Sequence, residues 1–273
     1  MKGNITAIVL LMLAFMASAQ GYDEWVERSF MYIESDSLSK AEESLKNAMR
    51  LEPANPRNFL LLSNLGTLQR RLGKNDDALI SYSSALMMAP KSVPALENRA
   101  ALYSEMERWD EALQDYTSII YVDDDNQEAL YRRGLIRLEK NDTIGARTDF
   151  ETILKADETS AKARLGIASL MIMEKHYNMA ADLYSQLIKV NAKNGDLYLK
   201  RAQAYYLAGK QARALADIDE ALRYDAEDAY AYVLKGRIRL AQFDKTEALI
   251  NFKRAQELGF EDNLLQDLMK KCR

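Results

Sequence analysis

The sequence predicts an all-α fold built from consecutive helix–turn–helix units. Three observations carry this prediction. The chain has only 11 Gly and 4 Pro among 273 residues, too few for a loop-rich or all-β architecture, and its many Ala and Leu residues favour helix. Alanines also recur along most of the chain at a nearly constant interval, which indicates that one structural unit is repeated.

The interval is measured from one alanine in the second helix of each predicted unit. These alanines are Ala41, Ala78, Ala112, Ala146, Ala180, Ala214 and Ala248. The first gap is 37 residues and the other five are 34 residues each. A bulky residue follows each alanine by four positions: Leu45, Tyr82, Tyr116, Phe150, Tyr184, Ile218 and Phe252. A small residue precedes it by twelve: Ser29, Gly66, Ala100, Gly134, Ala168, Ala202 and Gly236.

The clearest unit runs from Phe59 to Pro90. Its first half carries Leu residues at three- and four-residue steps, which places them on one face of a helix. Gly73 is expected to end that helix in a left-handed conformation, and Asn75 or Asp76 to cap the next helix. Because proline cannot easily continue a helix, the second helix should end before Pro90.

The small residues have a physical purpose in this pattern. Two helices approach to about 8–10 Å only where small side chains lie at the crossing point. We therefore expect Gly66 to face Ala78, and Gly134 to face Ala146, while the bulky residues fill the space between units. Since one unit cannot bury both of its faces, neighbouring units must stack.

This pattern resembles the tetratricopeptide repeat. The matching residues in the clearest unit are Leu62, Leu65, Gly66, Ala78, Tyr82, Ala85 and Pro90. The resemblance implies a right-handed α-solenoid over residues 20–260, with seven repeats at about 22–55, 59–92, 93–126, 127–160, 161–194, 195–228 and 229–262. Residues 261–273 would form a capping helix and tail that cover the apolar end of the array.

The first 19 residues have the pattern of a secretory signal peptide. Lys2 supplies a positive start, an apolar stretch follows, and Ala17-Ser18-Ala19 forms a small-residue cleavage site. The apolar stretch is shorter than the roughly 20 residues that span a bilayer. We expect a protein cleaved near Ala19 and exported to the periplasm or beyond, with retention of the segment as an anchor as the alternative.

The composition argues against catalysis and nucleic-acid binding. His176 is the single histidine, predicted in a surface turn, and no phosphate loop, nucleophile elbow or zinc-binding helix motif is present. The net charge of −4 lacks the basic excess typical of nucleic-acid binders. The sequence therefore predicts a protein that is not an enzyme and needs no metal or cofactor.

The resemblance implies a binding surface instead. In this family the first helix of each repeat lines a concave groove that holds a peptide or helix of a partner protein. The groove positions that we predict to contact a partner are Asn98, Tyr131, Arg132, Leu199, Lys200, Gln203, Tyr206, Tyr230 and Arg237. Ser63, Asn64 and Glu97 share this register in the N-terminal half.

The predicted function is a non-catalytic, protein-binding scaffold of the cell envelope. The positions of the family's carboxylate clamp hold Ser63, Thr67, Asn98, Glu128 and Arg132, and Glu128 would repel a carboxylate. Binding of chaperone C-termini is therefore not expected. The alternative is a structural component that self-assembles through the ends of the array or through its single cysteine, Cys272.

Overall fold

The computed structural model describes residues 21–261 and 263–272, so the predicted signal segment lies outside the described residues. The described ranges contain fifteen helices and no strand, which confirms the all-α prediction. The chain divides into two compact units, Met1–Ile136 and Arg137–Arg273. We call them the N-terminal unit and the C-terminal unit. The boundary falls within α7, which spans Gln127–Glu139.

Six helices precede α7 in the N-terminal unit. They are α1 (Tyr22–Glu34), α2 (Leu38–Leu51), α3 (Asn58–Arg71), α4 (Asn75–Met88), α5 (Val93–Glu105) and α6 (Trp109–Val122). From α1 to α6, each helix packs against the next one along the chain, and α3 also packs against α5. The first helices of consecutive repeats therefore lie side by side.

Eight helices follow α7 in the C-terminal unit. They are α8 (Thr143–Ala156), α9 (Ala161–Met173), α10 (Tyr177–Val190), α11 (Gly195–Leu207), α12 (Gln211–Tyr224), α13 (Ala229–Ala241), α14 (Lys245–Glu257) and α15 (Asn263–Lys271). Consecutive helices again pack together, and α11 packs against α13. The pattern of contacts matches that of the N-terminal unit.

The repeated alanines lie where the sequence pattern requires small side chains. All seven are fully buried, with no accessible surface. The bulky residues four positions later are also buried, from the completely covered Tyr82, Phe150 and Phe252 to Tyr116 at 4% exposure. The core of each unit is thus a series of equivalent layers, as expected for stacked repeats.

The glycine in the first helix packs closely against the aromatic ring that follows the repeated alanine. A Cβ atom built on Gly66 would lie 2.7 Å from ring carbons of Tyr82, and one built on Gly236 would lie 2.5 Å from the ring of Phe252. Such distances are too short for any side chain. Gly66 is therefore small because Tyr82, four residues beyond Ala78, packs directly against its backbone.

The turn within each repeat uses a left-handed residue five positions before the repeated alanine. These residues are Asp36, Gly73, Glu107, Asn141, Lys175, Gly209 and Phe243, with φ between 52° and 74°. Gly73 ends α3 as predicted. The predicted caps of α4 are wrong, because the left-handed turn makes Lys74 the N-cap and places Asn75 and Asp76 in the first helical turn.

The C-terminal helix α15 covers the last repeat. Leu265 and Leu268 pack with Phe252 and Ala255 in one buried cluster. Cys272 belongs to the same cluster and is 8% exposed. The apolar face of the final repeat is thus removed from water by a helix that belongs to no repeat.

Candidate functional site

The first helices of the N-terminal unit border a groove. Its cavity has a volume of about 340 Å³ and is lined from α1, α3 and α5, together with the residues just before α3 and α5. Phe30, Leu60 and Pro94 supply apolar walls, and Phe30 and Leu60 are each about half exposed. Large apolar side chains held open to solvent in a concavity are typical of a binding surface. We call this cavity the N-terminal groove.

Polar side chains without intramolecular partners line the same groove. Ser63 is 9% exposed, and no described residue hydrogen-bonds its hydroxyl. The amides of Asn64 and Asn98, one repeat apart, likewise make no hydrogen bond within the described residues. Because polar groups in such settings are normally hydrogen-bonded, these three are available to a ligand. Asn98 is the predicted site residue that this groove contains.

The other two predicted residues of the N-terminal unit lie on α7. Tyr131 is half-buried. Arg132 is exposed, and its Nε donates to Glu128 at 2.7 Å. This ion pair holds the pKa of Arg132 above its ordinary value. The charge of Arg132 is therefore already compensated by its neighbour one helical turn away.

In the C-terminal unit the structure brings three predicted residues together. Tyr206 and Tyr230 pack at the edge of one core cluster, on α11 and α13. Burial raises the pKa of Tyr230, while the nearby Arg237 guanidinium opposes that rise. Arg237 is partly buried and makes no ion pair with a described side chain. Two phenols and a cation thus share one surface.

The remaining predicted residues contribute less to a surface. Leu199 is only 7% exposed and packs among Ala202 and Ile218 in the core, so it offers little area to a partner. Lys200 lies 3.3 Å from Asp196, one turn earlier on α11. Gln203 is half-buried on the same helix. Leu199 is therefore better described as a core residue.

Sequence reasoning missed a polar cluster that recurs in both units. Arg99 donates through Nε and Nη2 to both carboxylate oxygens of Asp115, each at 2.8 Å, and through Nη1 to Ser83 at 3.0 Å. Arg201 makes the same bonds to Asp217 and Ser185. The serine belongs to the preceding repeat in each case. The signal was present in the sequence, since these residues recur three repeats apart.

A second missed network surrounds Glu42 on α2. Its carboxylate accepts from Lys46 at 2.6 Å, from Lys74 at 2.8 Å and from Gln69 at 3.3 Å. Burial alone would raise the pKa of Glu42, but these hydrogen bonds outweigh it and lower the pKa to about 2. Because Lys74 and Gln69 lie in the second repeat, the network joins it to the first.

The histidine and the cysteine, the side chains best suited to catalysis or metal binding, lie in ordinary structural positions. His176 is exposed at the N-cap of α10, with Nδ1 3.5 Å from Glu174. Burial raises the pKa of the Cys272 thiol, which donates to the carbonyl of Leu268. A buried thiol argues against a disulfide between chains. In residues 21–261 and 263–272, no three His, Cys, Asp or Glu side chains are grouped to hold a metal.

No helix among the described residues combines the length and the apolar character needed to cross a bilayer.

The chain is similar to several known proteins. The family profile of the tetratricopeptide repeat matches residues 98–161 and 199–260. A solved tetratricopeptide repeat protein from Parabacteroides merdae ATCC 43184 is 43% identical, with a TM-score of 0.82 over 92% of this chain and 98% of its own. The type IV pilus biogenesis factor PilW is 18% identical, with a TM-score of 0.67 over 77% of this chain and 98% of its own.

A curated relative matches over a shorter stretch. The SGT1 homolog of Oryza sativa subsp. japonica is 32% identical over 111 residues, which cover 38% of this chain. The matched region spans 29% of that relative. This similarity therefore concerns the repeats and not the remainder of the plant protein.

Proposed function

Because this chain belongs to the tetratricopeptide repeat family, whose members generally act as protein-binding scaffolds, we propose that it holds a segment of a partner protein against the first helices of its repeats. The N-terminal groove is the observation that carries this proposal. It combines exposed apolar walls with the free hydroxyl of Ser63 and the free amides of Asn64 and Asn98. Apolar walls can bury side chains of an extended segment, while the amides hydrogen-bond its backbone.

The cluster of Tyr206, Tyr230 and Arg237 supports a second area of contact in the C-terminal unit. Tyrosine and arginine are enriched where interfaces bury most of their energy, because each offers a large contact area with a hydrogen-bonding end. Removing such an anchor typically weakens binding by about 2 kcal/mol or more.

The test is affinity capture from the envelope of the native host, quantified by mass spectrometry. We expect Asn98→Ala, Tyr206→Ala and Tyr230→Ala each to lower recovery of the same partner. Tyr121→Ala is the matched control, because Tyr121 is 84% exposed on the second helix α6. Equal recovery by all variants would contradict binding through the first helices.

The proposed location is the cell envelope, after export and cleavage near Ala19. The supporting observation is the signal-peptide pattern of residues 1–19. Fractionation of the native host, followed by N-terminal sequencing of the purified protein, tests it. A cytoplasmic protein that retains Lys2 would overturn the proposal.

Self-assembly is the competing role. The burial of Cys272 weighs against a disulfide-linked assembly. Contact through the ends of the array would still give a mass that rises with concentration. Sedimentation at several concentrations, with and without reductant, distinguishes the roles, since a scaffold that only binds partners stays monomeric.

A further inference from the structure

Glu97 is a carboxylate that the fold leaves without a cation. It is partly buried on α5, and no described side chain forms an ion pair with it. Burial raises its pKa, and the nearby carboxylates of Glu128 and Asp123 raise it further. A partly desolvated anion among other anions is unfavourable unless a positive charge joins it.

Two other carboxylates of this region, unlike Glu97, are paired with arginines. Glu128 is paired with Arg132 at 2.7 Å, and Glu105, at the end of α5, is bonded by the guanidinium of Arg70. Intramolecular cations thus compensate Glu128 and Glu105, whereas the nearby Asp123 accepts from the amide of Asn126 at 3.0 Å. Glu97 has no such partner, although the helices around it carry arginines.

Glu97 lies on α5 close to residues that line the N-terminal groove. The next residue, Asn98, lines the groove, and so does Pro94, one helical turn earlier on the same helix. Glu97 occupies the same position in its repeat as Ser63, whose unpartnered hydroxyl lines the groove one repeat before. The register of α5 therefore places the uncompensated carboxylate beside the apolar walls and the free polar groups of the groove.

We propose that the segment held in the N-terminal groove carries a Lys or Arg side chain that pairs with Glu97, next to an apolar side chain that enters between Phe30 and Leu60. This inference rests on the proposed function, because it specifies the chemistry of the same partner. Charge complementarity selects the occupant, because an acidic segment would meet the carboxylates of Glu97 and Asp123, neither of which is paired with a cation among the described residues. A basic, apolar segment of a partner protein satisfies both features.

The test is selection from a phage-displayed library of random dodecapeptides, with the purified full-length protein as the bait. We expect enrichment of peptides in which Lys or Arg lies within a few residues of Leu, Ile, Met or Phe. With Glu97→Gln as the bait, the basic residues should lose their enrichment while the apolar residues keep it. Glu43→Gln is the matched control, since Glu43 is exposed on the second helix α2 and forms no ion pair with a described residue.

Affinity measurements on synthesised peptides make the test quantitative. Glu97→Gln should lower the affinity for a basic peptide about fivefold, which is the effect of losing one partly exposed ion pair. The affinity for a version of that peptide in which Gln replaces the basic residue should stay unchanged. Glu97→Lys should reverse the preference toward Glu-containing peptides. These shifts should shrink at high salt.

The outcomes separate this inference from the proposed function. Enriched peptides that lack basic residues, or that keep them with Glu97→Gln, would overturn the charge inference while groove binding stands. No enrichment above background would overturn groove binding itself. Self-association lost in Glu97→Gln, without any peptide enrichment, would assign the groove to a second copy of the chain and would also overturn the inference.

Discussion

Repeats three and six, in different units, contain the same polar cluster with nearly the same geometry. Arg99 contacts Asp115, Ser83 and the ring of Tyr103, and Arg201 contacts Asp217, Ser185 and the ring of Tyr205. Corresponding hydrogen-bond lengths agree within 0.1 Å. The helix pair therefore fixes where these groups meet.

Repeats four and seven contain equivalent arginines that have different partners. Arg137 lies 2.7 Å from the buried carboxylate of Asp149. Arg239 occupies the same position three repeats later, but Asn251 replaces the aspartate and donates to the carbonyl of Glu247. The Nε of Arg239 is buried without a partner, while its Nη1 donates to Gln242 at 3.2 Å. The comparison shows that the helix pair fixes where the arginine and its partner lie. The identity of the partner side chain then decides whether the guanidinium is paired with an anion.

The largest effect is expected from removing the carboxylates of repeats three and six. Asp115→Asn and Asp217→Asn should each lower the free energy of unfolding by roughly 3 kcal/mol, because each leaves a mostly buried guanidinium without its anion. Urea unfolding followed by circular dichroism measures it. Asp219→Asn, which affects a more exposed pair with Lys235, should cost less than about 1 kcal/mol. Markedly unequal losses at Asp115 and Asp217 would break the equivalence of the two clusters.

The first repeat compensates its buried carboxylate with lysines, which makes it sensitive to acid. The pKa of Glu42 is about 2 in the folded protein against an ordinary value of 4.5. Its stabilisation is therefore complete above pH 4.5 and is lost as the pH falls toward 2. Between pH 5 and 2.5 we expect a loss of about 2 kcal/mol from this residue.

Urea unfolding across that pH range tests the acid sensitivity. Glu42→Gln should flatten the pH dependence, whereas Glu43→Gln, on the exposed face of the same helix, should keep it. An unchanged slope in Glu42→Gln would show that other carboxylates cause the acid loss.

Exchanging the partners of repeats four and seven sharpens the comparison further. Asn251→Asp should stabilise the protein by about 1 kcal/mol, because the new carboxylate can pair with Arg239. The reverse exchange, Asp149→Asn, should destabilise it. Thermal unfolding of both variants measures whether each exchange raises or lowers the stability of the protein. A destabilising Asn251→Asp would mean that Arg239 cannot reach the position that Arg137 reaches in repeat four.

The smallest expected effect concerns the turns. Phe243 adopts a φ of 63° and is 92% exposed, so its side chain gives up little packing if it is removed. Phe243→Gly should stabilise the protein by about 0.5–1 kcal/mol, because glycine adopts a positive φ without strain. Gly209→Ala, in the equivalent turn of repeat six, should destabilise by a similar amount. Differential scanning calorimetry of both variants measures the pair.

The fold was predictable because small residues at a fixed interval leave few alternatives. The spacing of Ala112 and Ala146 indicated the helix pairs, and Gly73 indicated a left-handed turn. The caps of α4 were mispredicted because the residue after the left-handed turn becomes the N-cap whatever its side chain, and here that residue is Lys74.

The candidate site was less predictable, because exposure depends on what packs nearby. The register placed Leu199 on the same surface as Tyr206, yet Leu199 is covered by its neighbours. Phe30 and Leu60 were not singled out, since the sequence does not distinguish an apolar residue held open to solvent from a core residue. The lack of a cation beside Glu97 likewise depends on where other side chains point.

The 16-residue separation of each arginine from its aspartate, and of each serine from its arginine, has a consequence for engineering. Joining Ala112 directly to Leu215 would remove three whole repeats and leave Arg99 at that same separation from Asp217. The shortened polypeptide would still form the full polar cluster across its splice point. This three-repeat deletion therefore keeps an internal polar cluster, so the protein can be shortened by that module.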